Sequence, residues 1–154
     1  MFDIYIDGDA CPVKDEILRV AERHALQVHL VSNAWLRIDG GPKLNKVLVP
    51  DGPDVADDWI ADHIGAYDIC ITGDIPLAAR CIEKGASVLG HTGKPFTPDS
   101  IGMALAMRDL KSQLREAGEL KDHHAGFKKA DRSRFLSALE EMVRAVKVAS
   151  QTIF

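Results

Sequence analysis

The fold is decided by the segment Phe2-Asp3-Ile4-Tyr5-Ile6-Asp7-Gly8-Asp9-Ala10-Cys11-Pro12. Its first half is rich in β-branched and aromatic residues without a helical period, which predicts a short buried strand. Asp7 and Asp9 end that strand, and Pro12 begins an amphipathic run, as proline often does in the first turn of a helix. A strand, a tight turn and a helix start place both aspartates at the carboxyl edge of a sheet, where open α/β sheets bind ligands.

The same alternation of strand and helix continues along the chain. Strands are predicted over 27–31, 46–49, 68–72 and 86–89, and helices over 12–25, 54–64 and 75–85. Longer helices are predicted over about 98–118 and 131–148, with a loop over 90–98 and a mobile polar loop over 118–130 that contains His123 and His124. This order implies one three-layer α/β domain over residues 1–154, with a mainly parallel sheet of about five strands.

The composition is that of a soluble globular protein, with 46% hydrophobic and 27% charged residues among 154. No apolar run approaches the roughly 20 residues that cross a bilayer, and the chain passes directly from its start into a strand. We therefore expect a cytoplasmic protein with no membrane partner. Cys11, Cys70 and Cys81 lack metal-ligand spacing and are expected to be reduced thiols. The sequence does not indicate an oligomeric state.

Charge is distributed unevenly along the chain, whose net charge is −4. Residues 1–75 contain 14 Asp and Glu against 6 Lys and Arg, whereas residues 108–147 contain 10 Lys and Arg against 7 Asp and Glu. An acidic site beside a more basic surface suits a cation-dependent enzyme that acts on a polyanion. The same distribution also serves solubility alone.

Two further acids complete a candidate site. Asp57 lies on the apolar stripe of its predicted helix, whereas Asp58 falls on the solvent side. Asp74 follows a strand and precedes a first-turn proline, a setting similar to that of Asp9. If the two strands are neighbours, Asp7, Asp9, Asp57 and Asp74 form an oxygen-rich site of the kind that Mg²⁺ or Mn²⁺ prefers. A purely structural interpretation stays open for each acid, as a helix cap or as a first-turn acid that favours the helix dipole.

Several motifs carry a resemblance to a known family. The longest are Asp7-Gly8-Asp9-Ala10-Cys11-Pro12, Val55-Ala56-Asp57 and Thr72-Gly73-Asp74-Ile75-Pro76-Leu77-Ala78. Shorter ones are Ser32-Asn33, Phe96-Thr97-Pro98, Met107-Arg108-Asp109 and Asp131-Arg132. Together they resemble, over nearly the whole chain, the YaiI/YqxD family of uncharacterised bacterial proteins. That family is regarded as PIN-like, related to metal-dependent ribonucleases, so the resemblance implies that Asp7, Asp57 and Asp74 are the acidic cluster, with Asp9 close by.

The function expected from these observations is a metal-dependent nuclease, a hydrolase of phosphodiester bonds in RNA or, with less support, in another nucleic acid. Its cofactor would be Mg²⁺ or Mn²⁺, bound by Asp7, Asp57 and Asp74, with Asp9 as a further ligand or general base. The residues expected to position the phosphate are Asn33, Thr72 and Arg108. The alternative is a PIN-like module that binds nucleic acid or a nucleotide without catalysis.

The chain departs from the family at one place. The family tends to carry Arg-Gly before the Phe/Tyr-Thr-Pro motif, and Thr92-Gly93 stands there instead. Lys94 is the expected substitute for the phosphate contact of that arginine.

Two other phosphoryl chemistries fit the sequence less well. A haloacid-dehalogenase-type phosphatase would need its threonine and lysine motifs before an Asp-Asp pair, whereas Asp57-Asp58 precedes Thr72. A cysteine phosphatase built on Cys11 would need an arginine where Ile17 stands.

Overall fold

The structure is a computed structural model that describes residues 2–9, 11–116 and 127–151. Six strands are present in this part of the chain: β1 Ile4–Asp7, β2 Val28–Ser32, β3 Leu44–Leu48, β4 Ile69–Ile71, β5 Ser87–Leu89 and β6 Pro95–Phe96. The helices are α1 Lys14–His24, α2 Val55–His63, α3 Ile75–Glu83, α4 Pro98–Glu116 and α5 Lys129–Gln151.

All six strands form one sheet in the order β3-β2-β1-β4-β5-β6. The first five are parallel, and β6 pairs antiparallel with β5 through Val88 and Phe96. The predicted α/β fold with a mainly parallel sheet is therefore confirmed. The loop predicted over 90–98 is corrected, because it contains β6. A two-residue strand has no periodicity to detect and exists through its pairing with the edge of β5.

The sheet is covered by helices on both faces because side chains alternate along each strand. On β1, Ile4 and Ile6 join the core beneath α1 and α5, which includes the fully buried Phe135. Tyr5 points to the other face and joins the core beneath α2 and α3, which includes Ile60. This arrangement gives three layers, as the sequence predicts.

Several predicted helix starts differ from the observed ones. Pro12 precedes α1, whose N-cap is Val13, so the proline is not within the first turn. Asp54 occupies the N-cap of α2, but its backbone is left-handed with φ 65° and its side chain makes no capping hydrogen bond. In α3, by contrast, Asp74 is the N-cap and a proline lies in the first turn, as predicted.

The last helix begins two residues before its predicted start at Asp131 and continues past its predicted end at 148. Asp131 does take part in the cap, because its Oδ2 accepts the backbone N–H of Lys128 at 3.0 Å from inside the first turn. The predicted loop over 118–130 is therefore corrected at Lys129 and Ala130, which are helical. Residues 117–126, including His123 and His124, lie outside the described residues.

Two further expectations bear on the chain as a whole. None of the helices in the described ranges is both long and apolar enough to cross a membrane. The three cysteines are free and buried.

Candidate functional site

The strand order reverses direction between β1 and β4, which are neighbours although the chain visits β2 and β3 in between. Such a switch point opens a crevice at the carboxyl ends of the two strands, because the connections leave in opposite directions. Asp7 is the last residue of β1, and Thr72 directly follows β4. The two segments that carry predicted site residues therefore meet at the crevice.

On the β1 side, a tight turn at Gly8 brings Asp9 to the end of β2. The Gly8 N–H donates to the Val31 carbonyl at 2.7 Å. A Cβ on Gly8 would lie 2.8 Å from that same oxygen and 2.8 Å from Leu30 Cδ1, so only glycine fits without displacing the neighbouring strand. Beyond the turn, the Ser32 hydroxyl at the end of β2 donates to Asp9 Oδ1 at 2.6 Å. The position of Asp9 is thus held from the neighbouring strand.

On the β4 side, Thr72 joins two of the acids. Its buried hydroxyl donates to Asp7 Oδ2 at 3.1 Å and accepts the Asp74 N–H at 3.0 Å. Asp74 in turn accepts the Leu77 N–H at 2.9 Å through Oδ1, which caps α3. The hydroxyl of Thr72 therefore fixes the side chain of one acid and the backbone of another.

The third element of the site is the first turn of α2. Asp57 is half-buried there and lies close enough to Asp74 for their carboxyls to share a hydrogen bond. Asp58 is exposed, and its Oδ1 accepts from Arg80 Nη1 at 2.8 Å. The sequence prediction that separates these two adjacent aspartates is confirmed.

Electrostatic repulsion marks the site as a cluster. Burial, followed by the charges of Asp74 and Asp7, raises the pKa of Asp57 to about 7. Burial also raises the pKa of Asp7, with smaller contributions from Asp9 and Asp74, against a lowering by the Thr72 hydrogen bond. Asp57 thus carries a proton for part of the time at neutral pH. Asp7, Asp57 and Asp74 therefore lie within electrostatic reach of one another, and Asp9 lies within reach of Asp7.

The donor set suits a hard divalent cation, because carboxylate oxygens are the ligands that Mg²⁺ and Mn²⁺ prefer. As they stand, no three His, Cys, Asp or Glu side chains of the described residues are arranged as a ready metal site. The chemistry of these residues fits a cation, which would take the place of the proton that the raised pKa of Asp57 favours.

Comparison with known proteins decides the family. The family model described as "Uncharacterized BCR, YaiI/YqxD family" matches residues 5–145. The chain belongs to this family. It is 63% identical over 147 residues to the UPF0178 protein of Parvibaculum lavamentivorans, which covers 96% of this chain and 97% of that one. It is 60% identical over 146 residues to a UPF0178 protein of Rhodospirillum rubrum, with 94% and 97% covered. No solved structure matches the chain.

The remaining predicted residues of this YaiI/YqxD protein lie in different settings. Asn33 is exposed beside Ser32, and Lys94 is exposed between β5 and β6, so both are at the carboxyl edge of the sheet. Arg108 is exposed on α4, and its recorded ion pair is with Asp109 at 3.8 Å. No described contact joins Arg108 to the acidic cluster.

Thr72 has a buried setting in which its hydroxyl is already fully used. The sequence predicted that its hydroxyl positions a phosphate, but the side chain is fully buried and both hydrogen bonds of the hydroxyl go to acids of the site. Thr72 is therefore a positioning residue for Asp7 and Asp74.

Two residues near the site were not predicted from the sequence. Ser32 has no role predicted from the sequence, yet its hydroxyl bonds to Asp9 and makes it part of the site. Its position at the end of a parallel strand was the available signal. His91 follows β5, and a Cβ on Gly73 would lie 3.5 Å from its Cε1. Its Nε2 is buried without a partner among the described residues, and burial, then Lys14, lowers its pKa. His91 is therefore a neutral imidazole beside the turn that carries Asp74.

Proposed function

We propose that this YaiI/YqxD protein is a PIN-like, metal-dependent phosphodiesterase that acts on RNA or another nucleic acid. The observation that carries the proposal is the cluster of Asp7, Asp57 and Asp74, in which the pKa of Asp57 is raised to about 7. Among the described residues, no lysine or arginine forms an ion pair with any of these three carboxyls. Like charges held together in this way are stabilised by a cation between them.

The proposed roles of the acids follow from the groups that hold each side chain in place. Asp7, Asp57 and Asp74 are the residues that would hold the cation, which when bound would polarise a phosphoryl oxygen and make water more acidic. Thr72 fixes Asp7, and the cap of α3 fixes Asp74, so these ligands would be oriented before binding.

Asp9 is suited to a different role from that of the three acids. Its Oδ1 is held by Ser32, while its side chain is otherwise exposed. The exposed oxygen is available to accept a proton from the attacking water, as a general base does. This division supports hydrolysis in which the three acids hold the cation and Asp9 accepts the proton of the attacking water.

A cleavage assay tests the proposal. Single-stranded and duplex RNA and DNA are incubated with Mn²⁺ or Mg²⁺ and the wild type, Asp7→Asn or Asp58→Asn. We expect the wild type and Asp58→Asn to cleave and Asp7→Asn to be inactive, because only the latter removes a ligand charge. Cleavage that survives Asp7→Asn would contradict the proposal. A wild type that binds nucleic acid but does not cleave it would favour the non-catalytic module.

A further inference from the structure

The sheet order arranges chemically different side chains in a line along its carboxyl edge. Trp35 follows β2, the acids follow β1 and β4, and Lys94 follows β5. Because neighbouring strands lie about 4.8 Å apart, the four strands from β2 to β5 span about 14 Å. An extended ligand that crosses this edge would meet an aromatic ring, then the acidic cluster, then basic side chains.

The basic end of this line is built from two segments. A Cβ on Gly93, in the β5–β6 turn, would lie 3.0 Å from the Arg134 carbonyl oxygen, so that turn packs on the start of α5. Arg132, in the same part of α5, donates through Nη1 to the Pro12 carbonyl at 2.6 Å. Pro12 lies in the connection from Asp9 to α1, so the start of α5 lies against the segment that follows the acidic turn.

The lysines of this region lack acidic partners. Arg132 pairs with Glu16, and Arg134 with Asp131. In the part of the chain that the structure describes, no ion pair with a carboxylate is formed by Lys14, Lys94, Lys128 or Lys129. Uncompensated lysines on neighbouring segments attract a polyanion, because each can neutralise one phosphate and release its counterion.

The opposite end of the line carries an exposed aromatic ring. The side chain of Trp35 is 65% exposed, and Lys46 Nζ lies 5.1 Å from its ring centroid. An exposed indole beside an ammonium group stacks on an unpaired base, and the ammonium group attracts the adjoining phosphate. Bases in a duplex are already stacked, so this feature favours a single strand.

We propose that single-stranded nucleic acid lies across the carboxyl edge of the sheet, with a base stacked on Trp35, the scissile phosphate at the acids and the following phosphates on Lys94 and Lys128. The proposal rests on the proposed function for the position of the scissile phosphate. The chemistry recognised is the phosphodiester backbone with unpaired bases, so single-stranded RNA and DNA are both candidates.

The proposed path of the strand across the carboxyl edge, from Trp35 over the acids to Lys94 and Lys128, is tested by measuring binding without cleavage. Fluorescence anisotropy of labelled single-stranded RNA, single-stranded DNA and duplex RNA is measured over a range of salt concentrations, with Ca²⁺ in place of Mn²⁺ so that a cation offsets the repulsion between the acids and the phosphates. Gel electrophoresis checks that the strands stay intact. The variant Lys94→Gln/Lys128→Gln is compared with Lys43→Gln/Lys84→Gln, which removes the same charge from exposed positions at the opposite edge of the sheet. We expect the first variant to bind single strands about tenfold more weakly, with a salt slope shallower by about 1.4, and the control to change by less than about twofold.

The aromatic end has its own variant and control. Trp35→Ala should weaken single-strand binding about tenfold and leave duplex binding unchanged. Met103→Ala, which truncates another exposed apolar side chain on α4, should leave both unchanged. Circular dichroism of all four variants checks that each is folded.

The outcomes separate this path from the hydrolase proposal. Four results would each overturn the path. The two double variants could weaken binding equally, or Trp35→Ala could bind single strands as tightly as the wild type. The wild type could also bind duplex more tightly than single strands, or bind no single strand at all. A wild type that shows the expected binding pattern but no cleavage in Mn²⁺ would refute the hydrolase and leave the path standing. Cleavage without the expected pattern would refute the path alone.

Discussion

The carboxyl group of Asp57, in the first turn of α2, lies within hydrogen-bonding reach of the carboxyl group of Asp74, the N-cap of α3. Asp74 is held in place beside Asp57 because its Oδ1 accepts the Leu77 N–H at 2.9 Å. Burial, followed by the charges of Asp74 and Asp7, raises the pKa of Asp57 to about 7. The relationship makes Asp57 the most sensitive reporter of the site.

The first prediction concerns pH. Folded Asp57 has a pKa of about 7, against 3.8 as its ordinary value, so the folded state binds an extra proton between those values. The resulting stabilisation is full below about pH 3.8 and is lost as the pH rises through about 7. Because the Asp57 carboxyl is half-buried, solvent screening reduces this contribution to the free energy of unfolding to on the order of 1 kcal/mol. That corresponds to a change of about 3 °C in Tm.

Asp57→Asn should lose this pH dependence, and Asp58→Asn should retain it. Thermal melts at pH 5 and pH 8, without divalent cations, measure the difference. Identical pH profiles for all three proteins would contradict the assignment of Asp57 to a charged cluster. If Asp57→Asn were less stable than the wild type at pH 8, Asp57 would instead be a structural acid that stabilises the first turn of α2.

The second prediction concerns the cation. A ligand at about 100 times its Kd that binds only the folded state adds roughly 2.7 kcal/mol, which raises Tm by about 5–10 °C in a domain of this size. Mn²⁺ should give such a rise in the wild type and in Asp58→Asn. Most of it should be absent in Asp57→Asn, because a ligand charge is lost. Equal Mn²⁺ responses in wild type and Asp57→Asn would remove Asp57 from the site.

The third prediction distinguishes two neighbouring residues at the end of β2. Ser32→Ala frees Asp9, whose Oδ1 accepts the Ser32 hydroxyl at 2.6 Å, and should lower the rate of cleavage by about 10–100-fold while leaving the Mn²⁺ response in place. Asn33→Ala changes an exposed side chain and tests the phosphate role predicted for it from the sequence. A larger loss of cleavage from Asn33→Ala than from Ser32→Ala would show that Asn33 contributes more to cleavage than the Ser32–Asp9 hydrogen bond does.

The fourth prediction concerns Thr72, a buried positioning residue. Thr72→Val keeps the shape but leaves the Asp74 N–H without its acceptor, which should cost about 1–3 kcal/mol of unfolding free energy. Thr72→Ser keeps the hydroxyl and should restore the Mn²⁺ response even where some packing is lost. Urea denaturation with and without Mn²⁺ separates the two effects. A Thr72→Val protein as stable as the wild type would show that the hydroxyl is dispensable.

The fifth prediction tests the turn after β1. Gly8→Ala forces a Cβ to within 2.8 Å of Val31 O and should destabilise the fold by about 1–3 kcal/mol. Gly102→Ala is the matched control, because nothing lies within 4 Å of that Cβ and alanine favours the interior of α4 by about 1 kcal/mol. Opposite shifts of the urea midpoint are expected; a neutral Gly8→Ala would mean that β2 can move away.

The sequence by itself determined the layers of the fold and the segments that carry the acids. Alternating apolar patterns and turn residues are local signals, so they predicted β1, β4 and the cap at Asp74 within a residue or two. The spacing of Asp57 and Asp58 on one helix was enough to say which of them faces inward. These features depend on residues that are close together along the chain, so they can be predicted from the sequence alone.

Only the tertiary structure decided what those acids touch. The bonds from Ser32 to Asp9 and from Thr72 to Asp7 cross between strands, and the sheet order that makes them possible has no local signal. For the same reason β6 went unpredicted, since its two residues become a strand by pairing with β5. The raised pKa of Asp57 likewise arises from burial and from charges on other elements, because electrostatic interactions depend on distance in space and on exclusion of water.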